Sequence, residues 1–305
     1  MQEEGSAEKL MGRTPHGVRG QANPKRVQYW KGKEMPEEIT GRYVTVDSTR
    51  IYYDECGDGI PFLCLHTVGA SSLIYRYFMP IMARNGFRVI APDYPGHGKS
   101  YPVNWEPIRN THEHAEFMWK VTEAICDGEK PVVYGCAVGG DMALDMACYH
   151  SKGMLAAVVM EGACRTPTFP NVRELEEPHA CPGAQYLIER AAITAMYYPC
   201  PEERVRELRW QHRFAGQLAI WGVGQCWPSQ DCGAKLKDIK CPILVFKGEA
   251  DYYVPEELIE ETMAGIPEGL AERYTGKKVG HYPMFEEPEY TAEVVMEFLK
   301  RKTVV

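Results

Sequence analysis

Three absences narrow the class of protein. No run approaches the roughly 18 uninterrupted apolar residues of a membrane-spanning helix. There is no excess of positive charge, because 34 Lys and Arg residues against 42 Asp and Glu residues give a formal net charge of -8. This balance gives no reason to expect a nucleic acid or an anionic membrane as a partner. The first residues, MQEEGSAEKLMGRTPHG, lack the apolar centre of a signal peptide, which favours a cytoplasmic location.

Metal-binding cysteine pairs are also absent. The chain has 11 cysteines, but none of them forms a C-x-x-C pair, so we expect no metal site. Several stand where a core hydrophobe would, such as Cys64 in PFLCLHT. We therefore expect reduced thiols, with disulfides in a secreted protein as the competing interpretation. Four cysteines in one region test this expectation most sharply, namely Cys181, Cys200, Cys226 and Cys232.

Strand and helix patterns alternate over most of the chain. RYVTVD and RIYYDECG predict an antiparallel hairpin. Short apolar runs then predict buried parallel strands, and the segments between them have helical spacing. One predicted helix, SLIYRYFMPIMARNG, ends at Gly86, and another is capped by Asn110 or Thr111. This order predicts an α/β fold with a mostly parallel, doubly wound sheet.

Two parts of the chain depart from this pattern. Residues 1–40 show neither helix nor strand period, and we expect a flexible arm or an arm that packs on a partner or over a pocket. Residues 164–237 are rich in Pro, Cys, Trp and Tyr, and they begin just after a predicted strand. Ligands bind beyond the carboxyl ends of such strands, so we expect a cap there and a core of residues 41–163 and 238–305. Aromatic residues of the cap are candidates for the pocket or for plain core packing, namely Tyr197, Trp210, Trp221 and Trp227.

The most informative absence is a single side chain. PVVYGCAVGGDMALDMA, residues 131–147, predicts a buried strand, a Gly-flanked turn and an apolar helix. This is the setting of a G-x-S-x-G turn, which presents a serine nucleophile. Gly135 and Gly139 have the right spacing, but Ala137 occupies the central position and has no nucleophilic atom.

Four regions of the chain carry a resemblance to a known family. They are LHTVGASS (65–72), DYPGHGKS (93–100), GCAVGG (135–140), and GEADYYVP (248–255) together with GHYPMFEEPE (280–289). With these segments in this order, the chain resembles the α/β-hydrolase superfamily from about residue 43 onward, outside the insertion. The resemblance implies an α/β-hydrolase fold with a helical cap inserted after the sixth strand.

The resemblance also implies catalytic roles for particular residues. Acyl transfer requires a nucleophile, a base and a carboxylate that orients the base, and this fold supplies them in the order nucleophile, acid, His. Ala137 stands at the nucleophile position, Asp251 at the acid and His281 at the base. Glu161, which ends the strand after the turn, is a second candidate for the acid or a polar group of the pocket.

An oxyanion hole would be formed by backbone N–H groups. By resemblance these are the amides of Val68 and Val138, and Val138 also opens a helix whose N-terminal dipole favours an anion. Thr67 stands where the family usually has Gly after His, which is a departure from the family pattern. Thr67 is also a candidate pocket residue.

The resemblance leaves three interpretations of Ala137 open. In the first, the chain is a Ser→Ala form of a hydrolase for small to mid-sized carboxylic esters or lactones. In the second, it is a non-catalytic member that binds a small molecule. In the third, Cys136 is the nucleophile, although such a turn projects only its central side chain into the site. The same triad also serves C–C bond hydrolases that act on ring-fission diketones. No metal or organic cofactor is implied, and both a monomer and a homodimer are compatible with the sequence.

Overall fold

The computed structural model describes residues 38–166 and 184–305. The predicted arm therefore lies outside the described residues except at its last three positions. Cys181 and part of the predicted cap are outside them as well. No helix in the described ranges is long and apolar enough to cross a membrane.

The described residues form one sheet of eight strands in the order β1-β2-β4-β3-β5-β6-β7-β8. The first two strands make the predicted antiparallel hairpin, and β2 also runs antiparallel to β4. All other neighbours are parallel, which confirms the predicted sheet. The strands are β1 Thr40–Val46, β2 Thr49–Cys56, β3 Ile60–Leu65, β4 Phe87–Pro92, β5 Val132–Cys136, β6 Ala156–Met160, β7 Ile243–Gly248 and β8 Ala271–Gly276.

Helices pack on both faces of this sheet and bury two apolar clusters against it. Within the described residues, three helices lie in the chain between β6 and β7, so the insertion follows the sixth strand as predicted. The helices are α1 Met79–Arg84, α2 Thr111–Cys126, α3 Val138–His150, α4 Ala184–Ala195, α5 Glu202–Phe214, α6 Gln217–Cys226, α7 Glu256–Gly265, α8 Pro283–Glu286 and α9 Pro288–Arg301.

The helix predicted over residues 72–86 is wrong as one continuous element. A 3-10 turn at Ser72–Tyr75 is followed by the short helix α1. Pro80 lies in the first turn of α1, where its missing N–H is tolerated, whereas in a helix interior its ring would clash with the preceding turn. The cap of α2 is Asn110, whose side chain accepts the N–H of Glu113 at 3.1 Å.

None of the ten cysteines within the described ranges forms a disulfide bond. Of the four that were grouped by sequence, Cys226 and Cys232 are buried and Cys200 is partly buried. Cys64 and Cys136 are fully buried in the apolar cluster on one face of the sheet. These thiols therefore act as small core hydrophobes.

Candidate active site

The turn between β5 and α3 has the sharp geometry of a nucleophile elbow. Ala137 has φ 55° and ψ -124°, a left-handed conformation that is unusual for a residue with a Cβ. Gly135 permits the turn, because a Cβ there would lie 1.9 Å from the carbonyl oxygen of Gly139. The N–H of Ala137 donates to the carbonyl of Met160 on β6 at 3.0 Å, which fixes the turn against the sheet. Position 137 therefore has the backbone of an elbow without its nucleophilic side chain.

Cys136 points away from the elbow. Its thiol is fully buried and donates to the backbone carbonyl of His281 at 3.1 Å. Burial raises the pKa of the Cys136 thiol well above its ordinary value, so the reactive thiolate is strongly disfavoured. This geometry disfavours Cys136 as a nucleophile.

The loop after β3 packs directly on the start of α3. A Cβ on Gly139 would lie 2.2 Å from the carbonyl oxygen of Leu65, so only glycine permits this approach. The segments that carry the two predicted oxyanion amides therefore meet here. Val138 is fully buried, and Val68 is partly buried.

His66 fixes the shape of this loop. Its Nδ1 lies 2.8 Å from the carbonyl oxygen of Thr67, and its Nε2 accepts the N–H of Tyr94 at 3.1 Å. Tyr94 also stacks on the imidazole at 3.6 Å and donates its hydroxyl to the carbonyl of His66 at 2.6 Å. Burial lowers the pKa of His66 well below its ordinary value. His66 is thus a neutral structural residue, and it orders the loop although Thr67 replaces the usual glycine.

Asp251 and His281 form a buried hydrogen-bonded pair. Asp251 follows β7 and His281 follows β8, and Nδ1 of His281 lies 2.8 Å from Oδ1 of Asp251. The same carboxylate accepts the N–H groups of Tyr253 at 3.0 Å and Val254 at 3.2 Å, and Nζ of Lys247 lies 3.6 Å from Oδ2. Burial opposes ionisation of Asp251, but His281 and Lys247 outweigh it and hold its pKa well below the usual range. An ionised Asp251 can orient the imidazole of His281 as a general base.

Glu161 lies beside this pair but does not bond to the imidazole. It follows β6 and is 1% exposed, and its Oε1 accepts the N–H of Gly248 at 2.7 Å. One ligand atom each of Glu161, Asp251 and His281 lies within 4.8 Å of the others, a spacing that a metal ion could use. However, hydrogen bonds already engage Nδ1 of His281, Oδ1 of Asp251 and Oε1 of Glu161. The hydrogen bond to Nδ1 therefore favours Asp251 over Glu161 as the orienting acid.

Glu286 holds the loop that carries His281, a role that sequence reasoning missed. Its carboxylate accepts three backbone N–H groups, those of Tyr197 at 2.7 Å, Gly280 at 3.0 Å and Tyr282 at 2.8 Å. Tyr197 belongs to the cap, so the carboxylate joins the cap to the core. The sequence does place Glu286 close to the predicted base, because it lies five residues after His281 and in the turn that follows Pro283.

The candidate pocket aromatics lie in different surroundings. The ring of Trp227 lies 5.9 Å from that of Tyr253, which in turn lies 4.9 Å from the ring of His281. Trp221 instead packs under the guanidinium of Arg109 at 4.1 Å. The ring of Tyr253 thus contacts both Trp227 of the cap and His281 of the acid–base pair.

Trp210 does not fit the pocket expectation. It is 64% exposed and its ring lies 5.6 Å from that of Phe214 on the same helix. Tyr197 is partly buried and contributes its backbone N–H to the hydrogen bond with Glu286. The Thr67 hydroxyl is buried and has no hydrogen-bond partner among the described residues.

The cap covers the loop after β3. A Cβ on Gly69 would lie 3.0 Å from Cδ2 of His212 on α5 and 3.0 Å from Cγ2 of Ile188 on α4. His212 is buried, and burial lowers its pKa. Nothing in the sequence around His212 indicated this position, because the contact depends on how the cap folds back.

A cavity of about 340 Å³ lies away from the acid–base pair. It is bounded by the loop after β4, including His97 and Trp105, and by the first residues of α6. None of Ala137, Asp251 and His281 lines it. The elbow and the acid–base pair, rather than this cavity, therefore define the candidate active site.

The elbow, the loop after β3 and the acid–base pair together define a class of hydrolase. The Alpha/beta hydrolase family matches this chain over residues 62–294, which is more than half of its length. The chain belongs to the α/β-hydrolase family, as the resemblance predicted.

The sequence identity between this chain and individual relatives is low. The chain is 25% identical over 284 residues to a 2-hydroxy-6-oxononadienedioate/2-hydroxy-6-oxononatrienedioate hydrolase of Burkholderia vietnamiensis, covering 87% of this chain and 97% of the relative. It is 26% identical over 281 residues to a 2-hydroxy-6-oxo-6-(2'-aminophenyl)hexa-2,4-dienoic acid hydrolase of Metapseudomonas resinovorans, covering 86% and 91%. The crystal structure of an enol-lactonase from Burkholderia xenovorans superimposes with a TM-score of 0.74 at 16% identity, covering 85% of this chain and all of the other.

Proposed function

We propose that this site is built to hydrolyse a small to mid-sized carboxylic ester or lactone through a serine at position 137. The chain with Ala137 is then the form that lacks only the nucleophile. The observation that carries this proposal is the 2.8 Å hydrogen bond between Asp251 and His281, next to a turn with the backbone of an elbow. These are the base, the orienting acid and the nucleophile position of an acyl-transfer site.

The backbone of Ala137 supports a nucleophile at this position. A non-glycine residue with φ 55° and ψ -124° is held in a sparsely populated conformation, which costs about 1–3 kcal/mol. Glycine would relieve that strain. Such strain is typical of a position that must present a side chain to a substrate.

With serine at position 137, the reaction would follow from the neighbouring groups. The serine oxygen attacks the carbonyl carbon while His281 takes its proton, and the Asp251 carboxylate stabilises the imidazolium. The N–H groups of Val68 and Val138 stabilise the oxyanion. The imidazolium then protonates the leaving alcohol, and His281 activates the water that releases the acid and restores the serine.

The test is the Ala137→Ser variant, assayed with p-nitrophenyl esters of increasing chain length and with a panel of lactones. We expect turnover at least about 10³-fold above that of the Ala137 chain, because loss of a catalytic serine alone removes most of kcat. Ala137→Ser combined with His281→Ala is the matched control and should lose the gain. A folded Ala137→Ser protein with no gain on any ester or lactone would contradict the ester and lactone assignment.

C–C bond hydrolysis is a second candidate function. It is supported by the sequence relatives, since those from Burkholderia vietnamiensis and Metapseudomonas resinovorans are named as hydrolases of 2-hydroxy-6-oxo dienoates. The Ala137→Ser protein can be tested with such a coloured dienoate by following its loss of absorbance. A kcat/KM that exceeds the values for all esters and lactones would favour this chemistry over the first proposal.

A third outcome distinguishes a binding protein from an enzyme. If Ala137→Ser folds and binds an ester, lactone or dienoate without turning it over, the site serves to hold a small molecule. Isothermal titration of the same ligands into the Ala137 chain and into Ala137→Ser would show this directly.

A further inference from the structure

Glu161 is a buried acid that the proposed reaction does not use. Its φ is 50°, again a left-handed conformation for a residue with a Cβ, and its N–H donates to the carbonyl of Phe246 at 3.0 Å. Its side chain is bonded to the N–H of Gly248 at the end of β7. The backbone and the side chain of Glu161 are therefore both hydrogen-bonded to β7. This strand ends three residues before Asp251.

The second oxygen of Glu161 has no hydrogen-bond donor. Oε2 is buried and lacks a partner among the residues that the structure describes. A carboxylate oxygen of Asp251 lies within 4.8 Å of an oxygen of Glu161, and a carboxylate can only accept hydrogen bonds. Two buried carboxylates in contact repel each other unless one of them holds a proton.

The surroundings decide which carboxyl group holds that proton. Asp251 accepts Nδ1–H of His281 and two backbone N–H groups, and Nζ of Lys247 lies 3.6 Å away. Glu161 accepts one backbone N–H at Oε1. The donors therefore place the negative charge on Asp251 and the proton on Glu161.

We propose that Glu161 is a positioning residue whose carboxylic acid donates its O–H to the carboxylate of Asp251. This hydrogen bond holds Asp251 in the orientation in which its carboxylate accepts the Nδ1–H of His281. It also leaves a single negative charge beside the imidazole instead of two. The catalytic consequence rests on the proposed function, but the hydrogen bond itself does not.

The other groups that face Glu161 are compatible with this arrangement. Burial beside Asp251 raises the pKa of Glu161 well above its ordinary value, against the weaker effects of the Gly248 N–H and of Lys247. On β5 the facing groups are the hydroxyl of Tyr134 and the thiol of Cys136, and both are uncharged because burial raises their pKa values well above ordinary. Lys247 is thus the cation of this network.

The first experiment detects the proton without any turnover. Infrared difference spectra between the Ala137 chain and its Glu161→Gln variant, at pH 7, should show loss of the C=O stretching band of a protonated carboxylic acid. Glu249→Gln is the matched control, because Glu249 accepts the N–H of Lys278 and forms an ion pair with Lys277, and both contacts lower its pKa and keep it ionised. Loss of only a carboxylate band in Glu161→Gln would overturn the proposal.

The second experiment follows the Nδ1–H resonance of His281 by NMR at pH 7. Glutamine can accept from Gly248 and donate to Asp251, so Glu161→Gln should leave this resonance where it lies in the Ala137 chain. A displacement in Glu161→Gln as large as that in Glu161→Leu would overturn the proposal. Glu161→Leu should alter the Nδ1–H resonance of His281, and an unchanged resonance there would reduce Glu161 to a space-filling role.

In the Ala137→Ser background, Glu161→Gln should retain kcat, whereas Glu161→Leu should lower kcat more than it changes KM. Because the infrared and NMR arms use the Ala137 chain, they can fail or succeed whether or not Ala137→Ser is active. The inference about Glu161 and the proposed function are therefore tested separately.

Discussion

The backbone N–H of His281 donates to the carbonyl oxygen of Ala195 at 2.9 Å. Ala195 is the last residue of cap helix α4, so the cap holds the candidate base directly as well as covering the loop after β3. Gly280 allows this contact, because a Cβ there would lie 2.3 Å from the same carbonyl oxygen. This hydrogen bond couples the position of the cap to that of the base, in addition to the contact that Glu286 makes with Tyr197.

Gly280→Ala should separate the cap from the base. The added Cβ meets backbone atoms that cannot move aside freely, so we expect unfolding free energy to fall by about 1–3 kcal/mol, as for other overpacked sites. Urea denaturation measures this. Gly233→Ala is the matched control, since its Cβ would make only ordinary contacts at 3.7 Å and 4.0 Å. Equal stability of the two variants would contradict the coupling.

Glu286→Gln should loosen the loop of His281. The carboxylate accepts three N–H groups through two oxygens, whereas the amide has one accepting oxygen and turns its NH₂ toward the remaining donors. We expect a loss of about 1–3 kcal/mol in thermal or urea unfolding. Glu289→Gln, at an exposed position nearby, should be neutral, and a neutral Glu286→Gln would refute the role given to Glu286.

Asp141→Asn should change how stability depends on pH. Asp141 lies in the first turn of α3 with Oδ1 bonded to the N–H of Ala163 at 2.9 Å, and burial raises its pKa to about 8. Between pH 4 and pH 8 the folded state therefore keeps a proton that the unfolded chain releases, and this residue destabilises the fold as pH rises.

The Asp141→Asn variant removes this titratable group, and with it the dependence of stability on pH that Asp141 causes. Its stability relative to the Ala137 chain should grow by about 1.4 kcal/mol per pH unit across this window. Urea unfolding of both proteins at pH 5, 6 and 7 gives the comparison. Parallel profiles would show that Asp141 is not protonated in the folded state.

Cys136→Ala should leave activity intact in the Ala137→Ser background. The thiol is fully buried and donates to the carbonyl of His281, so it contributes packing rather than chemistry. We expect ester turnover within about threefold of Ala137→Ser alone, with a small loss of stability from the removed sulfur. Complete loss of turnover in a folded double variant would revive Cys136 as a nucleophile.

The sequence predicted those features that depend on short segments. The opening hairpin, the mostly parallel sheet, the elbow glycines and the placement of Asp251 and His281 after strands follow from local pattern and from the family resemblance. The break at Pro80 was also readable, since proline favours the first turn of a helix. The apolar spacing of SLIYRYFMPIMARNG continues across Pro80, so spacing alone predicts one uninterrupted helix.

Other features depend on contacts between distant segments and have no local signal. His212 lies over Gly69 because the cap folds back on the loop after β3. Trp210 and Trp227 belong to the same aromatic-rich insertion, but the first is exposed and the second packs on Tyr253. Composition alone does not distinguish such residues, because their exposure is decided by tertiary packing.

We propose that the site is complete apart from the side chain at position 137. The most direct measurement is the intact mass of the Ala137→Ser protein after treatment with a fluorophosphonate, which a serine activated by His281 attacks with release of fluoride. We expect one phosphonyl group per chain, located on residue 137, and none in the Ala137 chain or after His281→Ala is added. A folded Ala137→Ser protein that stays unlabelled would contradict it.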